Sequence, residues 1–177
     1  ATHIRIDGRD LLLMASNDYL GLSQHPRLIE ASARAAEKWG AGSGAARLIS
    51  GSSALFDTLE KRLADFKQTQ DALVFSTGYM ANLGVVSALA GREDFIAEDR
   101  LNHASLIDAA RLSGARVRRY RHADAAAAAD RLRASHAGRR LLVTDGVFSM
   151  DGDIAPLDKL VDVAEEHDIM IMVDDAH

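Results

Sequence analysis

The chain has 177 residues, with 26 acidic against 21 basic residues and a formal net charge of −5 at pH 7, and its charges are interspersed, so nucleic acid is not an expected partner. It contains no cysteine, which excludes disulfides and thiolate metal sites and leaves the cytoplasm as the default compartment. It has no apolar run of membrane-spanning length and no signal-peptide pattern, so a membrane is not an expected partner either.

The first part of the chain predicts a hairpin and a helix. Short strands over 3–6 and 10–14 flank Asp7-Gly8, which is the usual signal of a β-hairpin. A helix is expected over 26–39, because it begins with proline and is followed by glycine. The glycine-rich segment 40–53 is then either a flexible loop or backbone that approaches a ligand closely, and glycine content alone leaves both open.

After this segment, helices are predicted to alternate with short apolar strands. A helix follows Ser53, and strands at 72–75, 94–97, 115–120, 140–144 and 169–173 are separated by helices at 79–90, 103–112, 123–135 and 156–166. This alternation indicates βαβ units, and we predict an α/β fold with a mainly parallel sheet and helices on both faces. The strand at 169–173 is wholly apolar, so we expect it to be buried on both faces.

Polar residues gather where the predicted strands end, which is where open parallel sheets bind ligands. Asp174 and His177 follow the last strand, and His103 follows the strand at 94–97. Gly78 lies at a helix start, where N–H groups and the positive end of the helix dipole suit a phosphate, although a plain capped turn is the alternative. Ser149 lies on a long polar connection. The remaining histidines are predicted to be surface residues: His3, His25, His122, His136 and His167.

Several chemistries compete for these strand ends. An apolar strand before Asp-Asp-Ala-His is typical of helicase-type ATPases, but no lysine precedes Ser or Thr, as their phosphate loop requires. No G-x-G-x-x-G follows a strand, which disfavours a dinucleotide site. A metal centre of His103, Asp174 and His177 leaves the Gly78 turn and the Ser149 loop unexplained. Pyridoxal 5'-phosphate (PLP) needs a helix N-terminus, a flat partner and a carboxylate beside its pyridine nitrogen, so it accounts for them all.

Six segments resemble the α-oxoamine synthases, which are PLP enzymes of the aspartate aminotransferase fold. They are N-D-Y-L-G-L (17–22), G-S-G (42–44), F-S-T-G-Y-M-A-N (75–82), D-R-L-N-H-A-S-L (99–106), T-D-G-V-F-S-M-D-G-D (144–153) and V-D-D-A-H (173–177). The resemblance covers essentially the whole chain in the family's order. It implies the large domain of that fold, incomplete here, with residues 1–52 leading into a PLP-binding domain over 53–177, and a homodimer that takes amino acid and acyl-CoA substrates.

The resemblance also implies which residues hold the cofactor. Gly78 and Tyr79 would bind the phosphate through backbone N–H groups, with Thr77 nearby. Asp174 would pair with the pyridine nitrogen and keep it protonated, because an opposite charge favours the charged form.

The same resemblance implies roles around the ring and the substrate. His103 would stack on the pyridine ring and press on the substrate, as the catalytic histidine. Ser149 and His177 would hydrogen-bond the ring's phenolic oxygen. Asn17 would lie in the acyl-CoA site. No metal ligand is expected.

By the same resemblance, the full protein would condense L-alanine with pimeloyl-CoA and release CoA and carbon dioxide, as in biotin synthesis. Ala46 lies where 5-aminolevulinate synthases have a threonine, and alanine leaves room for a longer acyl chain. A glycine-using synthase and a non-catalytic partner subunit remain alternatives. We expect residues 1–177 to be an inactive part of a longer protein, because the family's Schiff-base lysine lies further on. The four lysines present all lie on predicted helices and cannot replace it: Lys38, Lys61, Lys67 and Lys159.

Overall fold

The computed structural model describes residues 3–135 and 138–177. The chain divides into two compact units, of which the first ends at Ala72 and the second is Leu73–His177. The predicted boundary between residues 52 and 53 marks where the cofactor-binding domain begins. Compactness does not test that boundary, so it stays a prediction.

The first unit contains the predicted hairpin and two helices: β1 (His3–Ile6), β2 (Arg9–Leu12), α1 (Pro26–Trp39) and α2 (Ala54–Lys67). The two strands pair antiparallel, and both Asp7 and Gly8 have positive φ, as the tight turn requires. The side chain of His25 caps α1 by accepting the N–H of Arg27 at 3.3 Å. These bounds confirm the predicted hairpin and helices.

The second unit alternates helices and strands as predicted: α3 (Gly78–Leu89), β3 (Phe95–Asp99), α4 (Ala104–Leu112), β4 (Arg116–Tyr120), α5 (Ala125–Arg133), β5 (Arg140–Asp145), α6 (Leu157–Glu166) and β6 (Met170–Asp174). Within the described residues, the four strands of this unit form one parallel sheet in the order β4-β3-β5-β6. The predicted parallel α/β fold is therefore confirmed.

Helices cover both faces of this sheet. Leu141 and Val143 pack with residues of α3 and α4 on one face, whereas Leu142 packs with residues of α5 and α6 on the other. Because successive side chains of a strand point to opposite faces, one apolar strand supplies both layers of the core.

Two predictions about strands are wrong. Residues 72–75 form no strand, because an apolar run indicates a tendency to be buried but cannot supply a neighbour for ladder hydrogen bonds. β6 is not buried on both faces: it lies at the edge of the described sheet and is mostly half-buried, with Met170 42% exposed.

The prediction that the remaining histidines are surface residues is wrong for His167, which is only partly exposed and has its Nε2 buried, and for His122. The side chain of His122 is 17% exposed, and its two ring nitrogens bond to Asp99 and Asp153. The corresponding prediction for His136 falls outside the described residues.

Leu142→Ala is expected to lower the free energy of unfolding by about 2–5 kcal/mol, because Leu142 is fully buried in β5 and its truncation leaves a cavity. Leu112→Ala is the matched control, since Leu112 is 70% exposed on α4, and it should change stability by less than about 0.5 kcal/mol. Denaturant unfolding followed by circular dichroism measures both. Equal midpoints for the two variants would show that Leu142 is not a core residue.

Candidate active site

A cavity of about 130 Å³ lies at the carboxyl edge of the sheet, beside the starts of α3 and α4. It is lined by Gly78, Tyr79, Asn82, His103, Ser105, Asp145, Ser149, Asp174, Ala176 and His177. This lining contains every predicted site residue of the second unit except Thr77. The structure thus brings together residues that lie up to a hundred positions apart in the chain.

Two carboxylates meet at the cavity because β5 and β6 end together. The parallel register places Asp145 opposite Asp174. The N–H of Gly146 donates to the backbone oxygen of Asp174 at 2.7 Å. This hydrogen bond holds the chain that leaves β5 against the end of β6.

The start of α3 has features that suit an anion. The first N–H groups of an α-helix have no carbonyl partner within it, and the side chain of Thr77 accepts one of them, from Met80, at 3.1 Å. The N–H groups of Gly78 and Tyr79 are then left for a ligand, next to the positive end of the helix dipole. A Cβ at Gly78 would meet no described atom within 4 Å, so the space beside it is open.

The ring of Tyr79 is tied to the neighbouring helix. Its hydroxyl donates a hydrogen bond to Asp108 on α4, and this bond raises the pKa of Tyr79. The contact joins the start of α3 to the middle of α4.

Asn82 connects the acid at the end of β6 to the histidine at the start of α4. Its amide nitrogen donates to Asp174 Oδ2 at 2.7 Å and to Ser105 Oγ at 2.8 Å. That hydroxyl lies 2.7 Å from His103 Nδ1, which also accepts the N–H of Ser105 at 3.2 Å. Because Nδ1 accepts, the ring proton of a neutral His103 is on Nε2.

The backbone of His103 is held by the end of β5. Its N–H donates to Asp145 Oδ2 at 2.6 Å. The side chain of Asn102 donates to the carbonyl of Val143 at 3.0 Å and accepts the N–H of Asp145 at 3.1 Å, so it pairs with β5 much as a strand would. Burial raises the pKa of the Asp145 carboxyl, as does the nearby charge of Asp174, against the opposing effect of the His103 N–H.

Sequence reasoning gave no role to Asn82, Ser105 or Asp145. A signal existed for Asn82, which lies four residues after Gly78 and therefore on the same helix face. A signal also existed for Ser105, which lies two residues after His103. At that spacing, the N–H of a residue in the first turn of a helix can donate to the side chain that caps the helix.

The other predicted residues lie as follows. Ser149 and His177 are exposed at the cavity, and the side chain of Thr77 is used as a helix cap, so its predicted part in phosphate binding stays a prediction. Asn17 is exposed in the first unit, where it accepts a hydrogen bond from Tyr19 at 3.4 Å, and its acyl-CoA role also stays a prediction. In the described ranges, no group of three or more His, Asp or Glu side chains is placed to hold a metal ion. The helices of those ranges are all too short or too polar to cross a membrane.

Residues 9–177 match the family described as aminotransferase class I and II. A relative from Methylococcus capsulatus, named 8-amino-7-oxononanoate synthase, is 59% identical over 176 residues, which are 99% of this chain and 46% of the relative. The chain therefore spans less than half the length of such relatives. These matches confirm the resemblance to α-oxoamine synthases.

Solved structures of a serine palmitoyltransferase and of an 8-amino-7-oxononanoate synthase superpose on this chain. A serine palmitoyltransferase from S. paucimobilis with bound PLP and myriocin gives a TM-score of 0.93 at 39% identity, covering 97% of this chain and 45% of that one. An 8-amino-7-oxononanoate synthase from Francisella tularensis gives a TM-score of 0.74 at 33% identity, covering 90% of this chain and 43% of that one.

Asp145→Asn is expected to change how stability depends on pH. The pKa of Asp145 is higher in the folded protein than its ordinary value, so folding favours the protonated carboxyl, and the charged form costs stability as pH rises through that raised value. The stability of the variant relative to the original protein should therefore increase from acidic to neutral pH. Unfolding measured across this range tests it, with Asp162→Asn on the exposed side of α6 as the control. A difference that stays constant with pH would contradict the assignment.

Proposed function

The chain belongs to the aminotransferase class I and II family, and from that premise we propose that it is the cofactor-binding part of a PLP-dependent α-oxoamine synthase. The proposed reaction condenses L-alanine with pimeloyl-CoA to 8-amino-7-oxononanoate, CoA and carbon dioxide, a step of biotin synthesis. The whole protein would be an acyltransferase of the cytoplasm, because a CoA thioester is a charged molecule that does not cross membranes unaided.

One observation carries this proposal: a helix N-terminus, a carboxylate and an imidazole border the same cavity. A phosphate, a pyridine nitrogen and a flat ring are the three features by which a protein holds PLP. The two charges of that cofactor are opposite in sign, and the cavity offers a group for each: the helix N-terminus for the anion and Asp174 for the cation. The residues present therefore fit PLP.

The roles of the cavity residues follow from their contacts. The N–H groups of Gly78 and Tyr79 would hold the phosphate. The carboxylate of Asp174, oriented by Asn82 at 2.7 Å, would hold the pyridine nitrogen in its protonated form. Asn82 can hold the Asp174 carboxylate in one orientation because Asn82 is itself only 7% exposed and also donates a hydrogen bond to Ser105.

His103 and the residues near it would act on the ring and the substrate. His103 offers a flat face for stacking, and a neutral ring keeps a proton on Nε2 that can be donated to a substrate oxygen. Ser149 and His177 would hydrogen-bond the phenolic oxygen. When bound, PLP supplies an electron sink that weakens bonds at the α-carbon of an amino acid.

The proposed chemistry needs a reactive amine that the described cavity does not contain. No lysine lines the cavity, and the four lysines of the chain lie on α1, α2 and α6: Lys38, Lys61, Lys67 and Lys159. A neutral amine is both a covalent anchor and a base for an α-proton. We therefore propose that residues 1–177 alone do not turn over.

The choice of substrate is based on sequence identity rather than on backbone likeness. The serine palmitoyltransferase has the higher TM-score, but the relative named 8-amino-7-oxononanoate synthase has 59% identity. Backbone shape is shared by enzymes of different specificity, whereas side chains select the substrate. A glycine-using α-oxoamine synthase is the second candidate, and a non-catalytic subunit of the same fold is the third. That third candidate is disfavoured because a non-catalytic subunit need not retain the cavity groups present here: His103, Ser149, Asp174 and His177.

Two features of the proposal concern the whole protein. We propose a homodimer, and we propose that Asn17 contributes to the acyl-CoA site. Both are supported by the resemblance of 17–22 to the family motif.

Asp174→Asn in the full-length protein is expected to lower kcat by about 100- to 1,000-fold, since a neutral amide cannot hold a proton on the ring nitrogen as a carboxylate does. The variant should also lose the absorbance of the protonated cofactor. Asp175→Asn is the matched control, an exposed acid one position away, and it should have a much smaller effect. Equal loss in the two variants would contradict the role of Asp174.

CoA release by the full-length protein decides the substrate. We expect the highest kcat/KM with L-alanine and pimeloyl-CoA among pairs formed from alanine, glycine or serine with acetyl-, succinyl-, pimeloyl- and palmitoyl-CoA. Equal activity with glycine and acetyl-CoA would overturn the biotin assignment. Absence of release with every pair, in a protein that binds PLP, would favour the non-catalytic subunit.

A further inference from the structure

Ser149 lies on a short hairpin that connects β5 to α6. An antiparallel bridge joins the two arms of this segment. The N–H of Phe148 donates to the carbonyl of Asp153 at 2.9 Å, and the N–H of Gly152 donates to the carbonyl of Phe148 at 2.7 Å. We call residues 146–155 the Ser149 hairpin. The position of Ser149 at the cavity depends on what holds this hairpin.

His122, which follows β4, contacts both the Ser149 hairpin and the end of β3. Its Nε2 lies 2.6 Å from Asp153 Oδ2, and its Nδ1 lies 3.0 Å from Asp99 Oδ1. Its ring packs edge-on against Phe148, with the ring centroids 4.4 Å apart and an angle of 88° between the planes. One half-buried side chain thus bridges two segments that are distant in sequence.

Asp99 extends this bridge to residues 100–103, which connect β3 to α4 and which we call the His103 loop. It is 1% exposed, and it accepts the N–H of Leu101 at 2.9 Å and the N–H of Ala123 at 2.8 Å. Ala123 has a φ of 52°, a left-handed conformation that is strained for a residue with a Cβ. The hydrogen bond to Asp99 holds the turn after His122 in that conformation.

The surroundings of His122 favour its positively charged form. Both ring nitrogens face carboxylates, and an ionised carboxylate only accepts hydrogen bonds, so both contacts are hydrogen bonds when each nitrogen carries a proton. The charged groups that face the ring are Asp99 of β3 and Asp153 of the Ser149 hairpin, whereas the adjacent Arg121 pairs with Asp124. Burial lowers the pKa of His122, but hydrogen bonds and charges of the two carboxylates outweigh it, so the pKa lies above its ordinary value.

We propose that His122 is a positioning residue that holds the Ser149 hairpin to the His103 loop and thereby sets the spacing of these two groups at the cavity. His122 does not line the cavity. The roles of Ser149 and His103 in binding PLP rest on the proposed function, whereas the bridge itself rests only on the contacts described above.

His122→Gln and Asp153→Ala in the full-length protein test the proposal from both ends of the bridge. Asp130→Asn is the control, because Asp130 is exposed on α5 and pairs with Arg133. Hydrogen exchange is measured on the protein without cofactor. It should be about ten-fold faster over the Ser149 hairpin in both test variants, because each variant loses one charge-assisted hydrogen bond. Exchange in β3 and β5 should be unchanged. PLP affinity, measured by titration, should fall by a similar factor.

The pH dependence separates positioning by a charged histidine from simple packing. The raised pKa means that the bridge is complete below the ordinary histidine range and is lost as pH rises through the raised value. In the original protein, exchange of the hairpin, corrected for its intrinsic pH dependence, should accelerate over that interval. His122→Gln should show no such step.

The proposal is overturned if both test variants exchange and bind PLP like Asp130→Asn, or if the original protein shows no step with pH. Should His122→Gln fail to fold, Asp153→Ala and the pH series decide, since both keep His122 in place. Suppose that hydrogen exchange over the hairpin is faster in the test variants, but that Ser149→Ala binds PLP as tightly as the original protein. This result supports the bridge and contradicts the proposed contact of Ser149 with the cofactor.

Discussion

The parallel register of β5 and β6 is the constraint on which the candidate site depends. It places Asp145 opposite Asp174 at the carboxyl edge of the sheet. Asp145 shares its face with Leu141 and Val143, and Asp174 shares its face with Met172, so the apolar pattern that packs α3 and α4 also directs both carboxylates toward those helices. A slip of one residue in either strand would turn its acid to the opposite face.

The same edge of the sheet supports two hydrogen-bonded systems, one on each face. On the side of α3 and α4, Asn82 joins Asp174 to Ser105 and through it to His103. On the side of α5 and α6, Asp99 meets His122. The second system reaches the loop before His103 through Asp99 and the Ser149 hairpin through Asp153, so both of these segments are tied to the end of the sheet.

The charges of the site are arranged for a ligand with two different ends. A helix start attracts an anion, and a half-buried carboxylate favours a proton on a basic nitrogen. Both preferences, together with a flat imidazole, belong to residues that line one small cavity. Such a combination constrains the orientation of a ligand as well as its identity, which is why the proposed function is argued from the cavity rather than from the fold.

Much of this protein could be predicted from its sequence. Helix and strand positions follow from periodicity, capping and turn residues, which are local signals, and the order of six motifs indicates the family. Only the tertiary structure showed that 72–75 is no strand, that Asn82 bonds a carboxylate 92 residues away, and that His122 is bridged by two acids. Those features depend on which segments become neighbours, and spacing along the chain carries no information about neighbours that only folding brings together.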